Sequence, residues 1–316
     1  MSIITPVSYT PHEWKNAGVE GAFPLNAQRA NEIEQGIIDT SSAVNQLIIS
    51  TGNLEADMSL LDNGLQAGRS IADIPEIQDE LDTAGSVPQF LLARAQARNA
   101  KFLRLRDYVD IAHSGIGTRR YRIGSFWPYY NCSDQPLSGH IGMVPDEVWP
   151  TNPQWNTTND NNGTAAQPHP YLNSNLHKYE LQTILPTFPA EWQAVMKNYR
   201  TLLETRYSAS GKLSASPGWA WADLGKVFSL SETEVYGQCV WGTPGYSVGM
   251  DCQWPIFAQT RDRIKTKNGS RAHWWLRSAI GSSSTDACCV SYEGDAHNYS
   301  CSNTGIACLP CFLIGA

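Results

Sequence analysis

The chain has 316 residues, enough for two domains, and its 23 Lys and Arg against 30 Asp and Glu give a formal net charge of −7. This acidic balance gives no electrostatic support for a nucleic-acid partner. No apolar run approaches the roughly 20 residues that cross a bilayer, and the first residues do not form a signal peptide. We therefore expect neither nucleic-acid binding nor membrane insertion.

Eight cysteines are present, and Cys308 and Cys311 form the one CxxC pair. A single pair is a weak zinc signal, and a chain of this length without an export signal is expected to keep its thiols reduced. The run NDNN at 159–162 lacks the spacing and closing glutamate of a calcium loop. We expect no metal and no cofactor.

A heptad pattern follows an N-terminal capping residue, Asn26. Ten positions follow one another at alternating intervals of four and three residues, and eight of the ten are apolar. The apolar ones are Ile33, Ile37, Val44, Leu47, Leu54, Met58, Leu61 and Leu65, and the other two are Thr40 and Thr51. The pattern predicts a coiled-coil stalk that makes the protein oligomeric; the alternative is a long amphipathic helix folded onto a globular domain.

A second helix is predicted from about Val87, with Leu91, Ala95, Phe102, Leu105 and Val109 on its apolar side. Its other side is basic and is interpreted as a solvated face or a surface for salt bridges between chains, in preference to a nucleic-acid site. SGIGT at 114–118 is interpreted as a hinge. The predicted divisions are therefore an attachment segment at 1–32, a stalk at 33–70, a joint with a helix at 71–115 and a second domain at 116–316.

The second domain is predicted to be α+β. RRYRIGSF and the final CLPCFLI are expected to be paired strands, and one or two helices are expected between His177 and Leu203. Ser231 and Glu234 form a capping-box pattern. Ten of the eleven tryptophans lie after residue 120, which marks the change of domain.

Two stretches resemble known phage families. The segment PLNAQRANEIEQGI at 24–37, after Trp14, resembles the attachment segment of tail and baseplate proteins of phages that infect Gram-positive bacteria. The last two hundred residues resemble a phage-enriched family with the C-type-lectin-like fold of the formylglycine-generating-enzyme type. The matching motifs are KVFSLSETEV at 226–235, QWPIF at 253–257, WWLRS at 274–278 and the ending from Gly305.

The second resemblance extends to the variable proteins of diversity-generating retroelements, including the major tropism determinant of a phage tail. The family pattern "WWLRSP" has Ala279 in place of proline here, and the ending GIACLPCFLI replaces "GVRPAF". The resemblance implies a scaffold that carries a ligand-binding surface. The implied scaffold residues are Trp274, Trp275, Arg277 and Gly305. The implied ligand-binding residues are Ser282, Ser283, Ser284, Asp286, Ser291, Tyr292, Asp295, His297, Asn298 and Tyr299.

Residues 279–308 contain Lys, Glu, Gln, Met or Trp only once, at Glu293. Random replacement of adenines in Asn codons cannot produce these five residue types, so the composition fits a diversified region. An ordinary loop-rich strand region with small residues fits it equally. One of Cys288 and Cys289 is expected to face the core, because adjacent strand residues point to opposite sides.

Catalysis is not expected. The carboxylates Asp223, Glu232, Glu234 and Asp251 have no spacing that pairs them, and no G-x-S-x-G or H-E-x-x-H motif occurs. We expect a homotrimeric phage tail or baseplate protein located in the virion. Its N-terminus would contact other tail proteins, and its head would bind a bacterial surface receptor, either glycan or protein. A structural tail protein without receptor contact is the alternative, and a glycan-cleaving tail enzyme is less favoured.

Overall fold

The computed structural model describes residues 30–47, 68–135, 137–244 and 253–316. It divides into two compact units, Met1–Gln66 and Ala67–Ala316. No helix within these described ranges is both long enough and apolar enough to cross a membrane. The second unit combines short helices with antiparallel sheets, so the α+β class is confirmed.

The described part of the first unit is one helix, α1, at residues 30–47. The predicted seam residues within it are exposed: Ile33 by 54%, Ile37 by 40%, Val44 by 41% and Leu47 by 67%. A single copy of the chain therefore leaves this apolar stripe uncovered by any residue that the structure describes. Residues 1–29 of the predicted attachment segment and the seam residues Thr51, Leu54, Met58, Leu61 and Leu65 lie outside the described residues.

The second unit begins earlier than predicted. Ile71, Ile74 and Ile77 are fully buried in the same hydrophobic core as the rest of the unit. Helices α2 (Gln78–Ala84) and α3 (Val87–Ala97) follow, joined where Gly85 adopts a left-handed conformation. The predicted joint at 71–115 is thus part of the globular unit, because its apolar residues pack into that core.

Helix α3 starts at Val87 as predicted but ends at Ala97, where Arg98 becomes left-handed. Phe102 lies beyond the helix and is 41% exposed, and Val109 belongs to a strand. The predicted basic face also differs from expectation. Arg94 is buried and pairs with Glu80 at 2.8 Å, since the tertiary fold covers that side of the helix.

A six-stranded antiparallel sheet forms the centre of the unit, in the order β1-β2-β3-β13-β4, with β7 also pairing β13. Its strands are β1 (Tyr108–His113), β2 (Gly117–Phe126), β3 (His140–Pro145), β4 (Met196–Lys197), β7 (Val227–Phe228) and β13 (Cys311–Gly315). Strands β1 and β2 form a hairpin whose turn is 114–116, and 117 and 118 already pair within β2, so the predicted hinge at 114–118 is wrong. β13 pairs with β3, β4 and β7, and β3 separates it from β2; the predicted direct pairing was also wrong.

Short helices and a hairpin connect this sheet to the C-terminal part. They are α4 (Pro170–Asn173), α5 (Asn175–Tyr179), a π-helix (Glu180–Ile184), α6 (Ala190–Val195), β5 (Tyr199–Thr205), β6 (Gly218–Gly225) and α7 (Glu232–Tyr236). Helical structure ends at Val195, and Tyr199–Thr205 is a strand because it pairs with β6, so the helix predicted to extend to Leu203 is wrong there. The predicted capping box is confirmed, since Ser231 accepts from the Glu234 N–H and the Glu234 side chain accepts from the Ser231 N–H.

The C-terminal part contains α8 (Thr260–Arg263), the hairpin β8 (Lys265–Lys267) and β9 (Ser270–Ala272), and a three-stranded sheet. The sheet consists of β10 (Trp274–Ala279), β11 (Asp286–Val290) and β12 (Ala296–Ser300), with β11 in the middle. Trp254 packs closely against the central sheet, where a Cβ at Gly142 would lie 2.6 Å from its ring. This close approach requires a residue without a side chain at position 142.

Candidate functional site

The three-stranded sheet has a buried central strand, β11, and a solvent-exposed edge strand, β12. In the central strand β11 the residues from Ala287 to Val290 are fully buried, on both faces of the strand. In the edge strand β12 no residue is fully buried, and His297 is exposed. His297 lies opposite Cys289, and Tyr299 lies opposite Ala287. Of the two strands, only β12 has an exposed residue, and the turn before it, with Tyr292, Glu293 and Asp295, is exposed as well.

The cysteines of this region belong to the interior. Cys288, Cys289, Cys301, Cys308 and Cys311 are all fully buried, so the core position expected for one of the adjacent pair is confirmed and holds for both. Both faces of β11 are covered, so alternation does not expose either side chain. Burial raises the pKa of these five thiols. The side chains serve as small apolar core residues, and the thiolate needed for nucleophilic or metal chemistry is disfavoured.

Four side chains form what we call the aromatic face: His273, Tyr292, His297 and Tyr299. The rings of His297 and Tyr299 stack with centroids 4.7 Å apart. His273 meets the rings of Tyr292 and Tyr299 edge-on, at 5.1 and 5.3 Å. Tyr292 is 46% exposed. Three of the four were predicted as ligand-binding residues, and the structure brings them together.

His273, which directly precedes the tryptophan pair, was not predicted from the sequence. Burial, followed by the nearby His297, lowers the pKa of its imidazole. Trp241 was also missed; it is 46% exposed, and its indole N–H donates to the carbonyl of Ala296 at 3.1 Å. No local pattern signals either residue, since both reach the face through tertiary contacts.

A second cluster, the serine loop, comprises residues 281–286. Ser282 is exposed, whereas Ser283, Ser284 and Asp286 are partly buried. Asn161 donates from its side-chain amide to the carbonyls of Ser283 and Asp286, at 2.8 and 2.7 Å. The buried guanidinium of Arg206 donates to the carbonyls of Ser283 and Ile280. The backbone of the loop is therefore held from beneath, while the Ser282 side chain is exposed.

The NDNN run at 159–162 supplies part of this support. The Asn159 carboxamide oxygen accepts from the Ser300 hydroxyl at 2.6 Å and from the hydroxyl and N–H of Ser302. Asn162 exchanges hydrogen bonds with the backbone of Leu213. The run holds together loops that are distant in sequence. Among the described residues no three His, Cys, Asp or Glu side chains form a metal-ligand set.

Three further residues that were predicted to bind ligand differ in their exposure to solvent. Ser291 is buried, and its hydroxyl accepts from the N–H groups of Glu293 and Asp295 at 3.1 Å. Ser291 is thus a turn residue and was wrongly predicted to be at the surface. Asp295 is exposed, and Asn298 is partly buried on the opposite side of β12 from His297. Asn298 therefore does not belong to the aromatic face.

Three of the four predicted scaffold residues are buried, and the fourth, Gly305, is not. Trp274 and Trp275 are fully buried, and their indole N–H groups donate to the carbonyls of Arg263 and Pro153, both at 3.0 Å. Arg277 is buried and was expected to bond main-chain carbonyls. It donates to the Ser229 carbonyl, but its main partner is the Glu234 carboxylate at 2.5 and 2.8 Å. Gly305 lies at the surface in a turn.

The Glu234 carboxylate is hydrogen-bonded to several different elements of the fold. Glu234 accepts from the Tyr129 hydroxyl at 2.5 Å and the Tyr199 hydroxyl at 3.3 Å. Glu232, also fully buried, accepts from three consecutive N–H groups, those of Val240, Trp241 and Gly242. Both glutamates considered as acid–base candidates are therefore engaged in structural contacts. Asp223 lies 3.6 Å from Arg200 at the surface, and Asp251 lies outside the described residues.

These observations define a class: an α+β protein in which a buried aromatic and ionic frame supports an exposed edge strand and a serine loop. The family model described as a domain of unknown function (DUF6273) matches residues 151–315. The match covers more than half of the chain, so the chain belongs to this family. It includes the whole aromatic face and the serine loop. The comparisons with curated proteins and with solved structures gave no match.

Proposed function

We propose that the protein is a receptor-binding protein of a phage tail or baseplate, located in the virion, with the aromatic face and the serine loop as its binding surface. The observation that carries the proposal is the exposure of the Tyr292 and His297 rings in the turn and edge strand beside β11, which is fully buried from Ala287 to Val290. Tyrosine, serine and asparagine predominate in adaptable binding surfaces, since rigid rings lose little conformational entropy on binding. The phage assignment is supported by the two sequence resemblances.

The finer description of the fold is part of the proposal. We assign the second unit to the C-type-lectin-like class, on the strength of the motifs at 226–235, 253–257 and 274–278. In the structure these three motifs contact one another: Arg277 pairs with Glu234, and the Trp254 N–H donates to the Glu234 carbonyl at 2.8 Å. The motif residues are thus one connected frame.

The oligomeric stalk is proposed from helix α1. Four apolar side chains at heptad spacing are exposed along it, and burying each of them stabilises an assembly by about 1.5–3 kcal/mol. A parallel coiled coil of three chains covers this stripe and presents three heads side by side. Linking several weak sites in this way raises the overall avidity by about 10²–10⁴.

The stalk is tested by light scattering on the full chain and on the unit Ala67–Ala316. We expect a trimer for the full chain and a monomer for the shorter unit. Ile37→Asp should dissociate the full chain, whereas Gln35→Asp on the same helix should not. A monomeric full chain, or a trimeric Ala67–Ala316 unit, contradicts the proposal.

Receptor binding is tested with labelled full-length protein and a panel of Gram-positive strains. Tyr292→Ala should reduce cell binding at least tenfold, because removing an exposed ring from a binding surface removes contact area at low cost to the fold. Tyr207→Ala is the matched control, since Tyr207 is 41% exposed and lies outside the aromatic face. Full-length protein that binds no strain in the panel favours a structural tail role. Equal losses for both variants exclude the aromatic face.

Diversification of the region is a separate proposal. The exposed residues of β12 and of the serine loop can change without loss of core packing, whereas the five buried cysteines cannot. A near-identical DNA copy close to the gene, differing mainly at adenines in codons for exposed residues, is the expected observation. Without such a copy, the binding surface is a fixed one.

A further inference from the structure

A small cavity lies beside the aromatic face and is not part of it. Its volume is about 50 Å³, and it lies between the N-terminal part of α7, the ends of β5 and β10, and the turn at 239–243. At about 10–15 Å³ for each water, this is room for roughly four waters. A ligand group of about four non-hydrogen atoms therefore fills it.

One part of the wall is apolar. It is formed by Pro170, Tyr171, Leu202, Leu203 and Trp219. Trp219 and Leu202 are partly exposed, whereas Tyr171 is buried. An entering group thus meets hydrocarbon and aromatic surface on this side, which suits a methyl group or the C–H face of a sugar ring.

The other part of the wall offers hydrogen bonds that the fold does not use. The Thr233 hydroxyl makes no hydrogen bond to any residue that the structure describes, and the Ser278 hydroxyl only accepts one, from the Glu232 N–H at 3.1 Å. Both hydroxyls therefore have a donor to spare. Donation to a carbonyl oxygen in the cavity would satisfy them.

The cavity also has acceptors. His169 is buried, and its Nδ1 lies 3.0 Å from the Glu204 carbonyl, so Nδ1 carries the proton and Nε2 is an acceptor. Within the described part of the chain, Nε2 has no hydrogen-bond partner. The Glu204 carboxylate accepts from the Thr243 hydroxyl and the Ala279 N–H, and its charge is matched by Arg206 at 3.2 Å. A neutral ligand with one N–H donor fits this side.

We propose that this cavity binds the acetamido group of an N-acetylated sugar, and this inference rests on the receptor-binding function above. The acetamido group has four non-hydrogen atoms: a methyl carbon for the apolar wall, a carbonyl oxygen for the two hydroxyls, and an N–H for His169 or Glu204. The remaining sugar ring lies at the mouth, against Trp219. The receptor is then a surface glycan with N-acetylated units.

The cavity and the aromatic face are joined by one short turn. Gly242 and Thr243 line the cavity, while Trp241 donates to Ala296 at the start of β12. Three N–H groups of the turn are fixed by Glu232, and the Gly281 N–H donates to the Trp241 carbonyl at 2.7 Å. A Cβ at Gly281 would lie 2.8 Å from the Gly242 carbonyl oxygen. A glycan held in the cavity can therefore extend across a rigid turn onto the face.

The test uses full-length protein and saturation-transfer NMR with N-acetylglucosamine, with glucose as the matched sugar lacking the acetamido group. We expect millimolar binding of N-acetylglucosamine, with the strongest saturation at its acetyl methyl protons, and at least tenfold weaker binding of glucose. Thr233→Val keeps the shape and removes the hydroxyl, so affinity should fall about fivefold. Thr83→Val, at an exposed position on α2, should leave it unchanged.

Any one of three results overturns the inference. They are equal binding of the two sugars, saturation of the acetyl methyl protons no stronger than that of the ring protons, and an unchanged affinity for N-acetylglucosamine in Thr233→Val. Thermal unfolding of each variant shows whether it is folded. Cell binding that depends on Tyr292, without any N-acetylglucosamine binding, contradicts the cavity inference and supports the receptor-binding function. N-acetylglucosamine binding without binding to any cell contradicts the receptor-binding function and supports the cavity.

Discussion

The adjacent strands β11 and β12 differ in what covers them, although their residues come from the same composition-biased stretch. Every residue of β11 from Ala287 to Val290 is sealed between β10, β12 and the core, and two of these are cysteines. β12 has a neighbour on one side only and carries Tyr299 and His297 to the surface. The difference shows that position in the sheet, and not local composition, divides the stretch into core and binding surface.

The largest effect is expected in the frame that underlies both strands. Glu234→Gln leaves the buried Arg277 guanidinium without its carboxylate, which should lower the free energy of unfolding by about 3–5 kcal/mol. Urea denaturation measures this. Glu293→Gln replaces an exposed glutamate in the turn between β11 and β12 and should change stability by less than about 0.5 kcal/mol. Similar losses for the two variants would remove the distinction between frame and surface.

The stability of the folded chain should also depend on pH, through the buried carboxyl group of Glu180. Burial, opposed by hydrogen bonds from Ser229 and Tyr171, raises the pKa of this carboxyl to about 8. Between its ordinary pKa of 4.5 and about 8, the folded chain holds a proton that the unfolded chain releases. Stability should therefore be highest below this window and fall as pH rises, by up to about 1.4 kcal/mol for each pH unit.

Thermal unfolding from pH 5 to pH 8 checks this, with Glu180→Gln as the comparison. The amide has the same shape and does not titrate, so the variant should lose this part of the pH dependence. A profile in Glu180→Gln as steep as that of the parent would show that Glu180 is not the group responsible.

An intermediate effect is expected where the frame supports the serine loop. Asn161→Ala removes the side-chain hydrogen bonds to Ser283 and Asp286 and should cost about 1–3 kcal/mol. Hydrogen exchange should become faster at 283–285 and remain unchanged at 287–290 in β11. Asn303→Ala, which removes one local bond to the Gly305 N–H, should not affect the serine loop.

The smallest effects are expected at solvent-exposed positions. Under native conditions a thiol reagent should modify Cys239, which is exposed, and Cys132, which is partly buried, before any of the five buried cysteines. Peptide mapping identifies the modified positions. Rapid reaction at Cys288 or Cys289 would mean that β11 is more open than the structure shows.

Features that depend on local pattern or on large apolar side chains could be predicted from the sequence. They are the helix start at Val87, the capping box of Ser231 and Glu234, the β2 strand and the burial of Trp274 and Trp275. The aromatic face could be predicted in part, because tyrosine and histidine in a stretch rich in small residues indicate a surface. Trp241 and His273 could not, since they come from segments that only folding brings to β12.

The sequence by itself determined the heptad stripe, the α+β class and the frame residues, because periodicity, capping and aromatic size act over a few residues. Only the tertiary structure decided that both adjacent cysteines are buried, that β3 separates the last strand from β2, and that Asn161 and Arg206 hold the serine loop. These outcomes depend on contacts between residues far apart in the chain, and no local pattern encodes which strand becomes an edge.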